Sequence, residues 1–478
     1  MISGYIIPSL PLLLVAGTSV VVMLAVAVRR SHSVAFNLTL LGLAASFCST
    51  FFVPVRQLGI LLTIDRYSLF FIGLIAAAAM AVAVLAHGYL AEREGNKEEF
   101  YILLLVATLG AMVLACSSHF VSLFLGLEVL SIGLYSLIGY LRERPLPIEA
   151  GIKYLVLAAS SSAFLLFGIA LVYADLGTME FSRIAQLAAS GADLHYDLLL
   201  PGVALILTGI GFKLALAPFH MWTPDIYQGA PAPVTAFVAT ISKGGMFALL
   251  LRYFSQSRLD LFSPVLVVFS IIAIASMFAG NLLALFENNV KRILAYSSIA
   301  HMGYILVALE VGGQAGAGAV IFYLVAYFIM TLGAFAVVTV LSPRERDADL
   351  IEDYRGLFWR RPWLALAFTA MLLSLAGIPL TVGFFGKFYI IAAGAASGAW
   401  ALILILVITS TIGLFYYLRV VVVLFQKETE AEATASRRKR SAPAAALVLA
   451  ILTLVLVWLG VYPSPLLRII QAAIHTLL

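Results

Sequence analysis

Stretches of about twenty apolar residues recur from one end of this sequence to the other, and an α-helix needs that length to cross the hydrocarbon core of a bilayer. In lipid the backbone must satisfy its own hydrogen bonds, which leaves helices or a closed barrel. The runs are continuous rather than alternating, so they select helices. We count fourteen such spans between residues 3 and 461, with a short amphipathic tail at 464–478. Composition agrees: 63% of the 478 residues are hydrophobic and 11% are charged, where a soluble domain carries roughly 25% charged residues. The expected fold is an all-α polytopic membrane protein with about 14 transmembrane helices.

Several function classes are excluded early. The net charge of +5 is spread over short loops and forms no single patch, so nucleic acid is not an expected partner; the lipid bilayer is. Cys48 and Cys116 lie in apolar runs without metal-ligand spacing. No phosphate loop, flavin motif or metal motif stands out, so any redox chemistry is expected in another chain. Met1-Ile2-Ser3-Gly4-Tyr5 lacks a basic n-region, so the first span is expected to be retained. His87, His119, His195 and His475 fall near span ends or in loops and read as structural.

Lys and Arg are unevenly distributed among the loops. Arg29, Arg30, Arg93, Lys97, Arg142, Arg144, Lys291, Arg292, Arg344, Arg346 and the Arg437–Arg440 cluster fall on one side of the alternating spans, and Arg56, Arg183, Arg252 and Arg258 on the other. By the positive-inside rule both termini are expected on the outer, periplasmic side. Lys213, Lys243, Lys387 and Arg419 belong to no loop.

A charge held at mid-bilayer costs about 2.5–3.5 kcal/mol on insertion scales, so several in separate spans need a reason. Glu128 has Ser131 and Tyr135 at i+3 and i+7 on one helix face. Lys213 is followed at i+7 by His220, and Pro218 between them is expected to break the helix. Lys243 follows Ser242 in mid-span, too deep to snorkel. His301 suits a proton relay, and Tyr323 and Tyr327 form a hydroxyl stripe on the next span. Lys387 closes Gly377–Gly386, where Pro379 and the glycines argue for a second interrupted helix. Each of these residues either ties helices together or carries protons. Two broken helices, each with a lysine, suggest two five-helix units at 99–255 and 256–426. They would be flanked by three helices at 1–98 and by a loop, last span and tail at 427–478. An odd unit repeated in tandem is inverted in the membrane, the arrangement of transporters.

The segments Leu125–Ser131, Gly209–Pro231, Ser242–Gly244 and Asn289–Tyr304 resemble the antiporter-like subunits of respiratory complex I, and the likeness runs over about 65–425. Lys387 stands where the M-type members carry glutamate. The resemblance implies proton translocation in the cell inner membrane, coupled to electron transfer from NADH to quinone elsewhere. Glu128 would pair with Lys213, Lys243 would link two half-channels, His220 and His301 would carry protons between them, and Lys387 would lie near the exit. It also implies FMN, iron–sulfur clusters and quinone in partner subunits, none in this chain. The partners would be other antiporter-like and small membrane subunits. Two rival readings stay open: a subunit of a multisubunit sodium/proton antiporter or hydrogenase-linked complex, and a scaffold whose charges only bind helices together.

Overall fold

A computed structural model of the chain describes residues 3–189, 196–257, 263–427 and 443–477. His195, Arg258 and the Arg437–Arg440 cluster lie outside these residues. Helices α1 Leu10–Val28 and α2 His32–Ser49 lead into a two-stranded hairpin, β1 Arg56–Leu58 and β2 Leu62–Ile64, which sequence reasoning did not anticipate. Helices α3 Arg66–Ala91, α4 Glu99–Cys116, α5 Phe120–Ile138 and α6 Pro145–Leu176 follow, then the short α7 Phe181–Ala189 and the long α8 Tyr196–Leu214. The chain continues through α9 Trp222–Gly229, α10 Ala232–Phe237, a π-turn at Val238–Ser242 and α11 Lys243–Ser257. The second half holds α12 Ser263–Ala284, α13 Val290–Val311, α14 Gly313–Leu341, α15 Pro362–Ala376, α16 Val382–Ser397 and α17 Trp400–Phe425. It closes with α18 Pro443–Val461 and α19 Ser464–Ile474.

Among the described residues, 13 helical stretches are long and apolar enough to cross a membrane. The pair α15 and α16, too short singly, together make the span expected at 363–394. Both expected interruptions are present, and each has a local cause. In the first, α8 stops at Leu214, four residues before Pro218, because Ala215 turns into the left-handed region at φ 59°. The freed carbonyls are taken up locally: Gly211 O accepts from the Leu216 amide at 2.8 Å and Phe212 O from Trp222 Nε1 at 2.9 Å. In the second, Gly377 caps α15 at φ 90°, the loop carries Pro379, and α16 begins at Val382. A side chain at Gly377 would sit 2.9 Å from Lys387 Cδ, so the turn and the lysine require glycine together.

Packing places the core around the centre of the chain. Ala232–Gln256 is wholly enclosed by other helices, and α13 and α14 are almost so, whereas α1, α2 and α18 are largely exposed. The same pairings recur in both halves. Helix α4 packs on α5 and on α11, as α12 packs on α13 and on α17; α6 packs on α8, as α14 packs on α15 and α16. The loops expected on one side gather at one end: Arg344 pairs with Glu94, Tyr140 donates to Asn96 O, and the Val290 amide donates to Asp349 O.

Candidate functional site

The interruptions and the π-turn bring the buried ionisable residues into three hydrogen-bonded groups. In the first, Lys213 on α8 donates from Nζ to Ser131 Oγ on α5 at 2.7 Å, and the Ser131 hydroxyl donates to Leu127 O at 2.6 Å. Glu128, one turn away on α5, accepts from Ser162 Oγ on α6 at 2.5 Å. The expected Glu128–Lys213 pair is therefore indirect: each charge is held by a serine, and they interact through space. Tyr135 packs its ring at 5.7 Å from Tyr154, whose face lies 5.4 Å from Lys213 Nζ. It also lines a cavity of about 610 Å³ that opens at the basic end, beside Arg142, Arg144 and Arg344.

The second group surrounds Lys243, which is 1% exposed and sits directly after the π-turn. A π-turn adds one residue to the helical ladder and so re-aims the side chains that follow. Here it delivers Lys243 Nζ to Ser298 Oγ on α13 at 2.6 Å. Ser298 also meets Tyr327 OH at 2.6 Å and Tyr227 OH at 3.3 Å. One turn further along α13, His301 Nδ1 meets Tyr323 OH at 2.7 Å and Nε2 meets Tyr417 OH at 3.2 Å. Tyr417 OH closes back on Ser297 Oγ. The stripe of Tyr323 and Tyr327 is thus the wall against which Lys243 and His301 are seated.

The third group holds Lys387. Its Nζ donates to Leu375 O at 3.0 Å, Ala376 O at 2.8 Å and Ser410 Oγ at 2.7 Å. The two carbonyls are the free ones at the C-terminal end of α15, where the helix dipole favours a cation. The break in the helix is what creates this cradle. Tyr304 lies under the ammonium at 5.4 Å and accepts from Asn281 Nδ2 at 2.8 Å.

Two sequence-selected residues fall outside these groups. Ser242 is buried within the π-turn but takes no part in the hydrogen-bonded file. His220 is buried in the segment after α8, beside the Pro218 carbonyl, and among the described residues neither ring nitrogen makes a well-formed hydrogen bond.

Sequence reasoning missed other members. Ser162, Ser298, Tyr227, Tyr417 and Ser410 supply partners to the lysines, the glutamate and His301. Three cations assigned to loops are in fact buried. Arg252 is 0% exposed and forms a two-pronged pair with Asp65, both bonds at 2.8 Å. Lys291 is also 0% exposed, and Arg93 is nearly so, both against Asp347. All three lie within a turn or two of a helix end, so position alone made them look like loop charges. Arg419 belongs to no loop, as expected, and donates to Leu285 O and Glu287 O at the end of α12.

With this geometry in place, comparison with known proteins gives a consistent result. Residues 117–413 match the family model described as NADH:quinone oxidoreductase/Mrp antiporter, transmembrane region. The chain is 48% identical over 408 residues to the NADH-quinone oxidoreductase subunit N of Ectopseudomonas mendocina, covering 83% of this chain and 82% of that one. A chain of respiratory complex I from Thermus thermophilus superposes with a TM-score of 0.81 at 33% identity, covering 97% of this chain and 99% of that one. A chain of the Mrp complex from Dietzia sp. shares the fold, with a TM-score of 0.85 at 22% identity, covering 98% of this chain and 97% of that one. The chain therefore belongs to the NADH:quinone oxidoreductase/Mrp antiporter transmembrane family.

Proposed function

We propose that this chain is the proton-translocating membrane subunit of an NADH–quinone oxidoreductase, with protons moving along the file from Glu128 and Lys213 through Lys243 and His301 to Lys387. The observation that carries the proposal is the set of three buried lysines, each seated on a hydroxyl and each beside a broken or π-distorted helix. A scaffold needs buried charges paired with counter-charges. Here Lys213, Lys243 and Lys387 all rest on neutral oxygens, where an ammonium gives up its proton at lower cost than from a salt bridge.

The chemistry follows from that seating. Moving one proton against 100 mV requires about 2.3 kcal/mol, and one pKa unit is worth about 1.4 kcal/mol. A change in the distance between Glu128 and Lys213 alters the buried Lys213 ammonium by energies of that order once a neighbouring subunit covers Glu128. His301 lies within electrostatic reach of both Lys243 and Lys387 and links the second and third groups. His220, beside the first break, serves the step between Lys213 and Lys243.

The repeated helix pairings support reading 99–255 and 256–426 as two inverted five-helix units, each with one half-channel. The gathering of the basic loops at one end supports placing that end inside and both termini outside. Glu128 is half-exposed on α5 between Leu125 and Ile132, which point outward. A carboxylate there calls for a covering membrane subunit, in keeping with antiporter-like and small membrane partners. FMN, iron–sulfur clusters and quinone would belong to those other subunits. The 48% identity to a subunit N favours this assembly over a sodium/proton antiporter.

The test is Lys243→Met in the purified whole complex, reconstituted into liposomes. NADH-driven proton translocation should fall severely while the complex still assembles. Translocation at the wild-type rate would remove Lys243 from the path and with it the proposed file.

A further inference from the structure

A second buried cation shares α13 with the Lys243 acceptor. Lys291 stands in the first turn of α13, and Ser298 follows it by two turns, about 10 Å along the same face. Lys291 Nζ makes two bonds. One goes to Asp347 Oδ2 at 2.8 Å, and the other goes to the carbonyl of Ala230 at 2.6 Å. Asp347 in turn accepts from Tyr89 OH at 2.6 Å and faces Arg93 at 3.8 Å, while Arg93 is fixed by Tyr89 O and Pro343 O. Burial alone would raise the Asp347 carboxyl, but the Lys291 ammonium and its hydrogen bond hold it below the usual carboxylate range. The Asp347 carboxylate is what permits a charged Lys291 to be enclosed at all.

Ala230 gives this pair a function beyond clamping a loop. It is the residue that ends α9, so its carbonyl is one of the free ones at a helix C-terminus, a natural seat for an ammonium. Three residues back, in the last turn of α9, Tyr227 reaches its hydroxyl to Ser298 Oγ at 3.3 Å, and its ring lies 5.7 Å from Lys243 Nζ. Thr235 stitches the corner shut: its hydroxyl donates to Tyr227 O at 3.1 Å and lies 3.3 Å from Ala230 O. Lys291 therefore grips one end of a short rigid corner whose other end touches the acceptor of Lys243.

We propose that Lys291 and Asp347 are positioning residues for proton transfer at Lys243: they hold the 227–231 corner so that the Tyr227 hydroxyl stays on Ser298. Neither residue touches the transferred proton; both act through Tyr227. This inference rests on Lys243 carrying protons, and Lys243→Met is the control that separates the two claims.

The experiment uses the whole complex in liposomes and reads the initial rate of NADH-driven proton translocation per assembled complex. Lys291→Met and Tyr227→Phe should each lower the rate by about twofold or more, the lower edge of coupling within one network. Because they act on the same step, Lys291→Met combined with Tyr227→Phe should fall no further than the worse single variant. Lys291→Met combined with Asp347→Asn removes both charges, should assemble normally, and should keep the low rate because the bond to Ala230 is gone. Lys291→Arg keeps the charge and the assembly but replaces a point donor with a planar fork, and it should also be slow. Multiplying losses in the first double variant, or wild-type rates in the second or in Lys291→Arg, would overturn the proposal and leave a charge-balanced clamp. If Lys243→Met itself runs at the wild-type rate, the proton file fails; if only the Lys291 variants do, the positioning role fails.

Discussion

Ser298 holds the middle of the file, and Ser298→Ala is the most informative single change. The serine accepts from the Lys243 ammonium at 2.6 Å and also meets the hydroxyls of Tyr327 and Tyr227. Ser298 is buried, as is every one of these partners, so the substitution leaves a protonated Lys243 without its acceptor in a region that excludes bulk water. A hydrogen bond to a charged group contributes about 1.5–3 kcal/mol, and its loss falls on the charged form of the lysine alone. At about 1.4 kcal/mol per decade, the ratio of protonated to neutral Lys243 falls roughly 10- to 100-fold. The volume change is one hydroxyl, so the packing around Ser298 is preserved. The assay is proton translocation by the complex in liposomes, with Ser298→Thr as the variant that restores the hydroxyl. The reasoning fails if Ser298→Ala pumps normally, or if Ser298→Thr is as slow as Ser298→Ala in a complex of normal stability.

Other consequences are open to the same treatment. Arg252→Met strands Asp65 in a fully enclosed site and should cost about 3–5 kcal/mol, seen as loss of assembled complex on mild heating; adding Asp65→Asn, which removes the charge but keeps the cap on the Ser68 amide at the start of α3, should recover most of it, and no recovery would contradict the pairing. Gly383→Ala would place a methyl 1.9 Å from Ser374 O, so it should push α16 away from α15, lower thermal stability by about 1–3 kcal/mol and slow pumping through Lys387. Normal thermal unfolding of that variant would show that the break tolerates the displacement. Asp347 supplies a pH signature. Its carboxyl lies below its ordinary value of 3.8 when folded, so its contribution is complete above that value and is lost as pH falls through the lower folded one. Limited proteolysis should therefore find the 342–361 loop protected down to about pH 4 and released only below it, and release beginning near pH 6 would point to another group.

The spans, the two interruptions and the central ionisable residues were legible in the sequence because the bilayer makes charge so conspicuous. Lys213, Lys243 and Lys387 stand out against apolar neighbours on a single line of text. Their partners do not. Ser131 is visible beside Glu128 because both lie on one helix, but Ser162, Ser298 and Ser410 come from other helices, and nothing in a run of serines marks which one faces a lysine. The same limit explains the Glu128–Lys213 pair. The pairing came from the family resemblance, and the rotamers that give each charge its own serine are decided by packing of α5 on α6 and α8. Lys291, Arg93 and Arg252 were misplaced for the opposite reason: they sit near helix ends, where loops begin, and only the fold shows Asp347 and Asp65 reaching over to enclose them.

The grouping also restricts how the file can work. It is not one continuous wire: Lys213, Lys243 and Lys387 each belong to a separate set of hydrogen bonds, with His301 within electrostatic reach of the last two. Two like charges about 10 Å apart at an effective dielectric of about 20 repel by about 1.7 kcal/mol, more than a tenfold bias against both being protonated together. A protonated His301 is repelled by Lys243 and by Lys387 alike, so it forms only after one of them is neutral. On the proposed path transfer is then ordered: Lys387 gives up its proton first, His301 takes one from Lys243 and passes it to Lys387, and Lys243 is refilled from the Lys213 side. That order predicts that Lys387→Arg, a cation that holds its proton, stalls the file upstream and blocks pumping more completely than Lys387→Met, which removes the repulsion along with the carrier. Equal residual pumping in the two variants would argue against ordered transfer.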